Sequence, residues 1–182
     1  MRTLQLPLTV ETVRTLHAGE SVLLRGSLYT ARDAAHKRLA TLLAAGEPLP
    51  INLNGETIYY AGPAPSKPGW VIGPAGPTTS SRMDAYTPAL LAAGLRCMIG
   101  KGARSPEVIA AMRAHCAIYL GVTGGAAALI SQHINACSVV AYPELGTEAI
   151  QRLDVHDLPA VVLIDCTGED QYALGRVRYQ RM

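Results

Sequence analysis

From Arg96 to Ile164 the sequence alternates short, almost wholly apolar runs with helix-patterned segments, a rhythm that few folds satisfy. Arg96-Cys97-Met98-Ile99, Ala117 to Gly121, Ser138 to Tyr142 and Ala160-Val161-Val162-Leu163-Ile164 read as strands. Ser105-Pro106-Glu107 supplies an N-cap, an N1 proline and an acidic first turn, so a helix is predicted from there to about His115. A small-residue helix from Gly125 to about His133 follows. Strands that are apolar on both faces need cover on both faces. The pattern therefore predicts an α/β layered domain, a mixed sheet flanked by helices.

The first half is less regular. Thr9 can cap a short helix ending near Gly19, and Ser21-Val22-Leu23-Leu24 reads as a strand. Thr30 with Asp33 resembles a capping box that opens a helix to about Ala45, with Leu39, Leu42 and Leu43 as its apolar stripe. Thr57 to Ala61 is a short strand, and Gly62 to Ser80 a long loop of the kind that is usually functional. A helix from about Arg82 to Ala93 completes the pattern. No internal repeat or linker divides the 182 residues, so residues 1–182 are read as one domain. Residues 173–182, with Arg176, Arg178 and Arg181, read as a basic, solvated tail.

Composition narrows the function classes. A net charge of +2, scattered along the chain, gives no argument for nucleic acid or a membrane surface. No run reaches the ~18 apolar residues of a membrane span. The N-terminus lacks the apolar core of a signal peptide, so a cytoplasmic location is expected. Cys97, Cys116, Cys137 and Cys166 are widely separated and form no C-x-x-C pair. Buried free thiols are the expectation, and no metal site is expected from this chain alone. His115, His133 and His156 have no metal-ligand spacing to one another or to a cysteine.

Three segments can carry chemistry. In Gly73-Pro74-Ala75-Gly76-Pro77-Thr78-Thr79-Ser80-Ser81-Arg82-Met83-Asp84, two Gly-Pro steps stiffen a loop that ends in hydroxyls and an arginine. Such a loop is suited to a carboxylate or phosphate, or is simply a loop with a good N-cap. In Tyr29 to Arg38, Arg32 stands at a helix start, where a cation is unfavourable against the dipole and seeks an acceptor. His36 lies one turn on. The competing reading is a solvated basic helix with an Asp33–Lys37 pair. Gly100-Lys101-Gly102 follows an apolar strand, either as a ligand-approach turn or as a surface turn. Charge-assisted hydrogen bonds contribute roughly 1.5–3 kcal/mol each. Arg32, Arg82 and Lys101 together would thus suit a small dianion, but this alone names no reaction.

Four segments, taken in order, are more specific. They are Tyr29 to Arg38, Tyr59-Tyr60-Ala61-Gly62-Pro63, Gly76 to Asp84 and Met98-Ile99-Gly100-Lys101-Gly102. Together they resemble the β subunit, or C-terminal domain, of the class I iron-sulfur fumarate hydratases. The likeness extends from about Leu4 to Tyr172 and is shared in part with the L(+)-tartrate dehydratase β subunit.

The resemblance implies a swivelling β/β/α-type domain beside an α subunit. It also implies reversible hydration of fumarate to L-malate. A [4Fe-4S] cluster would be bound by that α subunit, its open iron acting as a Lewis acid on the substrate hydroxyl. Thr78 maps onto the catalytic base position, activated by an aspartate of the α subunit. Arg32, Thr79, Arg82 and Lys101 map onto carboxylate-binding positions. Asp33 and His36 are read as residues that orient Arg32. A homodimer or an α2β2 assembly is compatible with this. The alternatives are a tartrate or other hydroxy-diacid dehydratase subunit and a non-catalytic anion-binding domain.

Overall fold

The computed structural model describes residues 1–123 and 125–180. Among them, the strands are β1 (Arg2–Gln5), β2 (Ser21–Thr30), β3 (Thr57–Tyr59), β4 (Cys97–Gly100), β5 (Ile118–Gly121), β6 (Ile134–Ala141) and β7 (Ile150–Ile164). The helices are α1 (Val10–Arg14), α2 (Asp33–Ala45), α3 (Thr87–Ala92), α4 (Pro106–His115), α5 (Ala127–Ser131) and α6 (Gln171–Tyr179). Short 3-10 turns occupy Ser80–Met83 and Pro143–Glu148. No described helix is long and apolar enough to cross a membrane.

The strands form one mixed sheet in the order β1-β2-β3-β4-β5-β7-β6. β2, β3, β4 and β5 run parallel to their neighbours, whereas β7 is antiparallel to both β5 and β2. The β2–β7 pairing, from Ser21↔Val161 to Thr30↔Gln151, closes β2, β3, β4, β5 and β7 into a small barrel. The layered α/β domain expected from the sequence is present, with its sheet rolled shut.

Closure explains the near-continuous apolar runs of β3, β4 and β5, which are buried on both faces. Leu24, Leu28, Tyr59, Cys97, Ile99, Ile118, Leu120 and Val162 pack together as one buried cluster. Alternate residues Ile58, Tyr60, Met98, Tyr119 and Leu163 pack in a second cluster with Leu39 of α2, Leu90 and Leu91 of α3, and Met112 of α4. Each large apolar side chain buried this way contributes about 1.5–3 kcal/mol.

Local signals set some boundaries and tertiary contacts set others. Ser105 Oγ accepts the Val108 N–H at 3.3 Å with Pro106 at the first position, so α4 begins where its cap chemistry places it. The capping box at Thr30 does not form. Thr30 ends β2, and its Oγ1 accepts the Gln151 N–H at 3.2 Å. Instead, the Glu148 carboxylate accepts the Ala34 N–H at 2.9 Å and caps α2 from across the fold. The helix expected from Arg82 to Ala93 is split into a 3-10 turn and α3. Pro88 has no N–H to bond back to Asp84, so one continuous helix cannot run through it. β7 begins ten residues before the expected Ala160. The basic stretch read as a tail is helical through Tyr179, capped by Asp170 Oδ1 at 2.8 Å from the Tyr172 N–H. Arg181 lies outside the described residues, as does Gly124.

Candidate active site

Two loops leave the carboxyl ends of β3 and β4, and backbone pairing sews them together. The Tyr60 N–H donates to the Ile99 carbonyl at 2.8 Å, and the Thr78 N–H to the Tyr60 carbonyl at 2.6 Å. Ala61 bridges Pro77, and Thr79 bridges Lys101. The Ser80 N–H reaches the Lys101 carbonyl at 2.9 Å, while Ser80 Oγ accepts the Lys101 N–H at 3.1 Å. The long Gly62–Ser80 segment is therefore held at its start and end. Pairing sets Thr78 and Thr79 beside the Lys101 turn.

Hydrogen-bond accounting fixes the hydroxyls behind this seam. Tyr119 donates its single hydroxyl proton to the Gly102 carbonyl at 3.0 Å, so Ser80 Oγ must donate to the Tyr119 oxygen at 2.8 Å. A Cβ at Gly100 would overlap Ser80 Oγ, so only glycine admits the serine there. Gly102 turns with φ +85°, a conformation that side chains rarely adopt. Of the glycines flanking Lys101, the first thus makes room for Ser80 and the second makes the turn.

The arginines converge through carboxylates. Arg82 Nε donates to Asp33 Oδ1 at 2.8 Å. Arg32 Nε lies 3.9 Å from Asp33 Oδ2, and Arg32 Nη2 lies 3.6 Å from Glu148 Oε1. Asp33 thus spans both arginines, with its shorter contact to Arg82 rather than to Arg32 or Lys37. Gly62 lets the guanidinium lie against the backbone, since a Cβ there would stand 2.7 Å from Arg32 Nη1.

His36 is fully buried, with its ring edge-on to Tyr60 at 5.1 Å. Burial pushes its pKa down to about 4, so the ring is neutral at pH 7. Its Nδ1 lies 3.0 Å from the Arg32 carbonyl oxygen, an acceptor only, so the proton sits on Nδ1. His36 holds the Arg32 backbone, not its guanidinium.

Two residues here carry no signal of their own in the sequence. Arg104 has no exposed side-chain surface and donates from Nε to Asp84 Oδ1 at 2.7 Å. Its Nη2 donates to Thr87 Oγ1 at 2.9 Å, and its guanidinium lies over the rings of Tyr60 and Tyr119. Asp84 Oδ2 accepts the Ser105 N–H at 2.7 Å, so one buried ion pair ties the arginine loop to the lysine loop. Glu148 is the other, reaching Arg32 and α2 together. Both act on partners remote in sequence.

Arg32 and Arg82 thus share the carboxylates of Asp33 and Glu148, and Lys101 on the adjoining turn adds a cation without one. Lys101 is exposed and, among the described residues, has no carboxylate within salt-bridge range, unlike Arg32 and Arg82. Arg32 Nε and Asp33 Oδ2 are buried without a hydrogen-bond partner. These two atoms are the two ends of the same 3.9 Å ion pair and face each other. Thr78 is half-buried and Thr79 exposed, and neither hydroxyl is engaged by another side chain among the described residues.

The same residues do not suit an iron-sulfur cluster. Among the described residues no three His, Cys, Asp or Glu side chains gather as a metal site. Cys97 is sealed in the barrel, its thiol pushed up to about 12 by burial, and Cys137 donates to Gln151 Oε1 at 3.1 Å on the far strand pair.

Residues 2–175 match the family described as Fumarase C-terminus. The anaerobic class I fumarate hydratase of Escherichia coli (strain K12) is 44% identical over 149 residues, which is 81% of this chain and 27% of that protein. Fumarate hydratase 2 of Leishmania major is 40% identical over 157 residues, 85% of this chain and 28% of that protein. The putative L(+)-tartrate dehydratase subunit beta of Methanocaldococcus jannaschii is 36% identical over 171 residues, 91% of this chain and 88% of that protein. The chain thus spans little more than a quarter of these two fumarate hydratases but nearly all of the tartrate dehydratase subunit. On the family match and these identities together, the chain belongs to the fumarase C-terminus family.

Proposed function

We propose that this chain is the β component of a hydro-lyase that interconverts fumarate and L-malate, and that it carries half of the active site. The observation that carries this reading is the convergence of Arg32 and Arg82 on Asp33 beside the Thr78–Lys101 seam, in a chain of this family. Arg32, Thr79, Arg82 and Lys101 bind the two carboxylates of the substrate. Asp33 and His36 hold the arginines, one through a carboxylate and the other through the backbone.

Thr78 serves the proton transfer. Dehydration removes a carbon-bound proton from one face of malate while the hydroxyl leaves the neighbouring carbon as water. A threonine hydroxyl is a weak base unless another group takes its proton. Within this chain the Thr78 hydroxyl contacts no carboxylate among the described residues, and the family resemblance implies that the activating group is an aspartate of the α subunit. The same resemblance implies that a [4Fe-4S] cluster is held by that partner; among this chain's described residues no three His, Cys, Asp or Glu side chains gather as a metal site.

The half-site reading makes a sharp claim about variants. In the assembled enzyme, Arg32→Ala and Arg82→Ala are expected to lose activity by orders of magnitude with the fold intact. Thr78→Val keeps the shape, removes the hydroxyl and is expected to abolish turnover while substrate still binds. Retained turnover in either arginine variant, or in Thr78→Val, contradicts the assignment.

A second reading, a tartrate dehydratase β subunit, is favoured by one observation. The putative L(+)-tartrate dehydratase subunit beta of Methanocaldococcus jannaschii is 36% identical to this chain over 171 residues. Offering L-malate and L-tartrate to the same assembled enzyme separates the two.

A further inference from the structure

A cavity of about 200 Å³ opens at the carboxyl ends of β4 and β5, next to the Thr79–Lys101 bridge. Its walls are apolar at Val122 and Leu163 and polar at Lys101, Thr123 and Tyr172. Carboxyl ends of parallel strands are where open α/β sheets place their ligands. Tyr172 lies in the first turn of α6, just before residues 173–182, which the sequence presents as a solvated tail.

The polar wall consists of donors. The Gly102 N–H donates to the Tyr172 oxygen at 3.2 Å, and an amide can only donate, so the tyrosine's own O–H is left to donate outward. Lys101 brings an ammonium with no carboxylate partner among the described residues. Gly102 is gripped on both sides, its carbonyl by Tyr119 and its N–H by Tyr172, which holds the Lys101 turn against the cavity. One ammonium and neighbouring hydroxyl donors match one carboxylate, and they leave a phosphate dianion short of a charge. The apolar walls suit the carbon chain that carries it.

We propose that this cavity binds one carboxylate of a small dicarboxylate, held by the Lys101 ammonium and the Tyr172 hydroxyl, so that α6 forms part of the substrate site. This rests on the reading of the chain as a dicarboxylate hydro-lyase component. The Tyr172 hydroxyl then sets how firmly that carboxylate is seated.

The test is an NMR titration of the 182-residue chain with millimolar succinate, an unreactive C4 diacid, following the Gly102 amide and the Tyr172 ring. Both signals are expected to shift saturably. Propionate is expected to shift them at higher concentration, and inorganic phosphate to leave them unmoved. Tyr172→Phe deletes the donor and is expected to weaken succinate about tenfold, the scale of a hydrogen bond to a charged group. In the assembled enzyme the same variant is expected to raise KM for malate with kcat largely kept. Silent Gly102 and Tyr172 signals, a response to phosphate alone, or unchanged succinate affinity in Tyr172→Phe overturns the proposal. The outcomes separate from those of the hydro-lyase reading. A shifting cavity in an enzyme that turns over no diacid keeps the site and removes the reaction, whereas turnover with a silent cavity does the reverse.

Discussion

Asp33 Oδ1 accepts a hydrogen bond from Arg82 Nε at 2.8 Å, although the two residues stand 49 positions apart and on different elements. One carboxylate at the start of α2 thereby fixes a guanidinium on the 3-10 turn that follows the paired threonines. Its second oxygen faces Arg32 Nε at 3.9 Å. The two arginines cannot move independently while Asp33 stands between them.

Asp33→Asn keeps the shape and removes the charge that holds Arg82. Half of the Arg82 side chain is exposed, so stability is expected to change little, in line with exposed ion pairs of about 0–1 kcal/mol. Activity is expected to suffer more, with KM for the diacid rising about tenfold as a charge-assisted contact is misplaced. Steady-state kinetics alongside a urea melt separate the two effects.

Arg104→Met strands Asp84 beside a hole. Removing one partner of a buried pair is expected to lower stability by about 3–5 kcal/mol. The double variant Arg104→Met/Asp84→Asn is expected to recover part of that loss, because no uncompensated charge remains. Urea denaturation of the single and double variants measures both.

His36 gives the fold a pH dependence whose sign is fixed. Its pKa falls from an ordinary 6.5 to about 4 on folding, so between those values the unfolded chain binds the extra proton. The stability contributed by the neutral ring is therefore full above about pH 6.5, lost as pH falls towards 4, and level below that. The loss amounts to about 3 kcal/mol at 1.36 kcal/mol per unit. His36→Gln is expected to flatten this segment of the stability–pH curve, measured by urea melts across the window.

Gly100→Ala drives a methyl group into Ser80 Oγ. Overpacking of this kind costs typically about 1–3 kcal/mol. Ser80→Ala in the same chain is expected to relieve part of it. Comparing thermal midpoints of the single and double variants tests whether the clash, and not the loss of glycine alone, is responsible.

What could be read in the sequence was what neighbours in sequence decide. Ser105 and Pro106 start α4 through contacts within one turn, and the expected helix matches to its last residue, His115. The first half of β7 carries no continuous apolar run, because Leu153 and Val155 alternate with Arg152, Asp154 and His156, whereas Ala160–Ile164 is apolar throughout and reads as a strand by itself. The closure of β2 on β7 joins Ser21 to Val161, and nothing local announces such a pairing.

The site follows the same division. Arg32, Arg82 and Lys101 were visible as cations on loop or helix-start positions. Their organisers were not. Glu148 caps α2 from 114 residues away, and Arg104 finds Asp84 across 20. Thr30 looked like a cap because Asp33 follows at the right spacing, but the sheet claims its hydroxyl first.

The most direct test of the half-site account is an anaerobic turnover assay of this chain alone and mixed with the proposed α partner after iron-sulfur reconstitution, offered L-malate and L-tartrate in parallel. Turnover of malate in the mixture, with neither component active alone, is the expected result. Turnover by this chain alone, or silence towards both substrates from a demonstrated complex with an intact cluster, would contradict it.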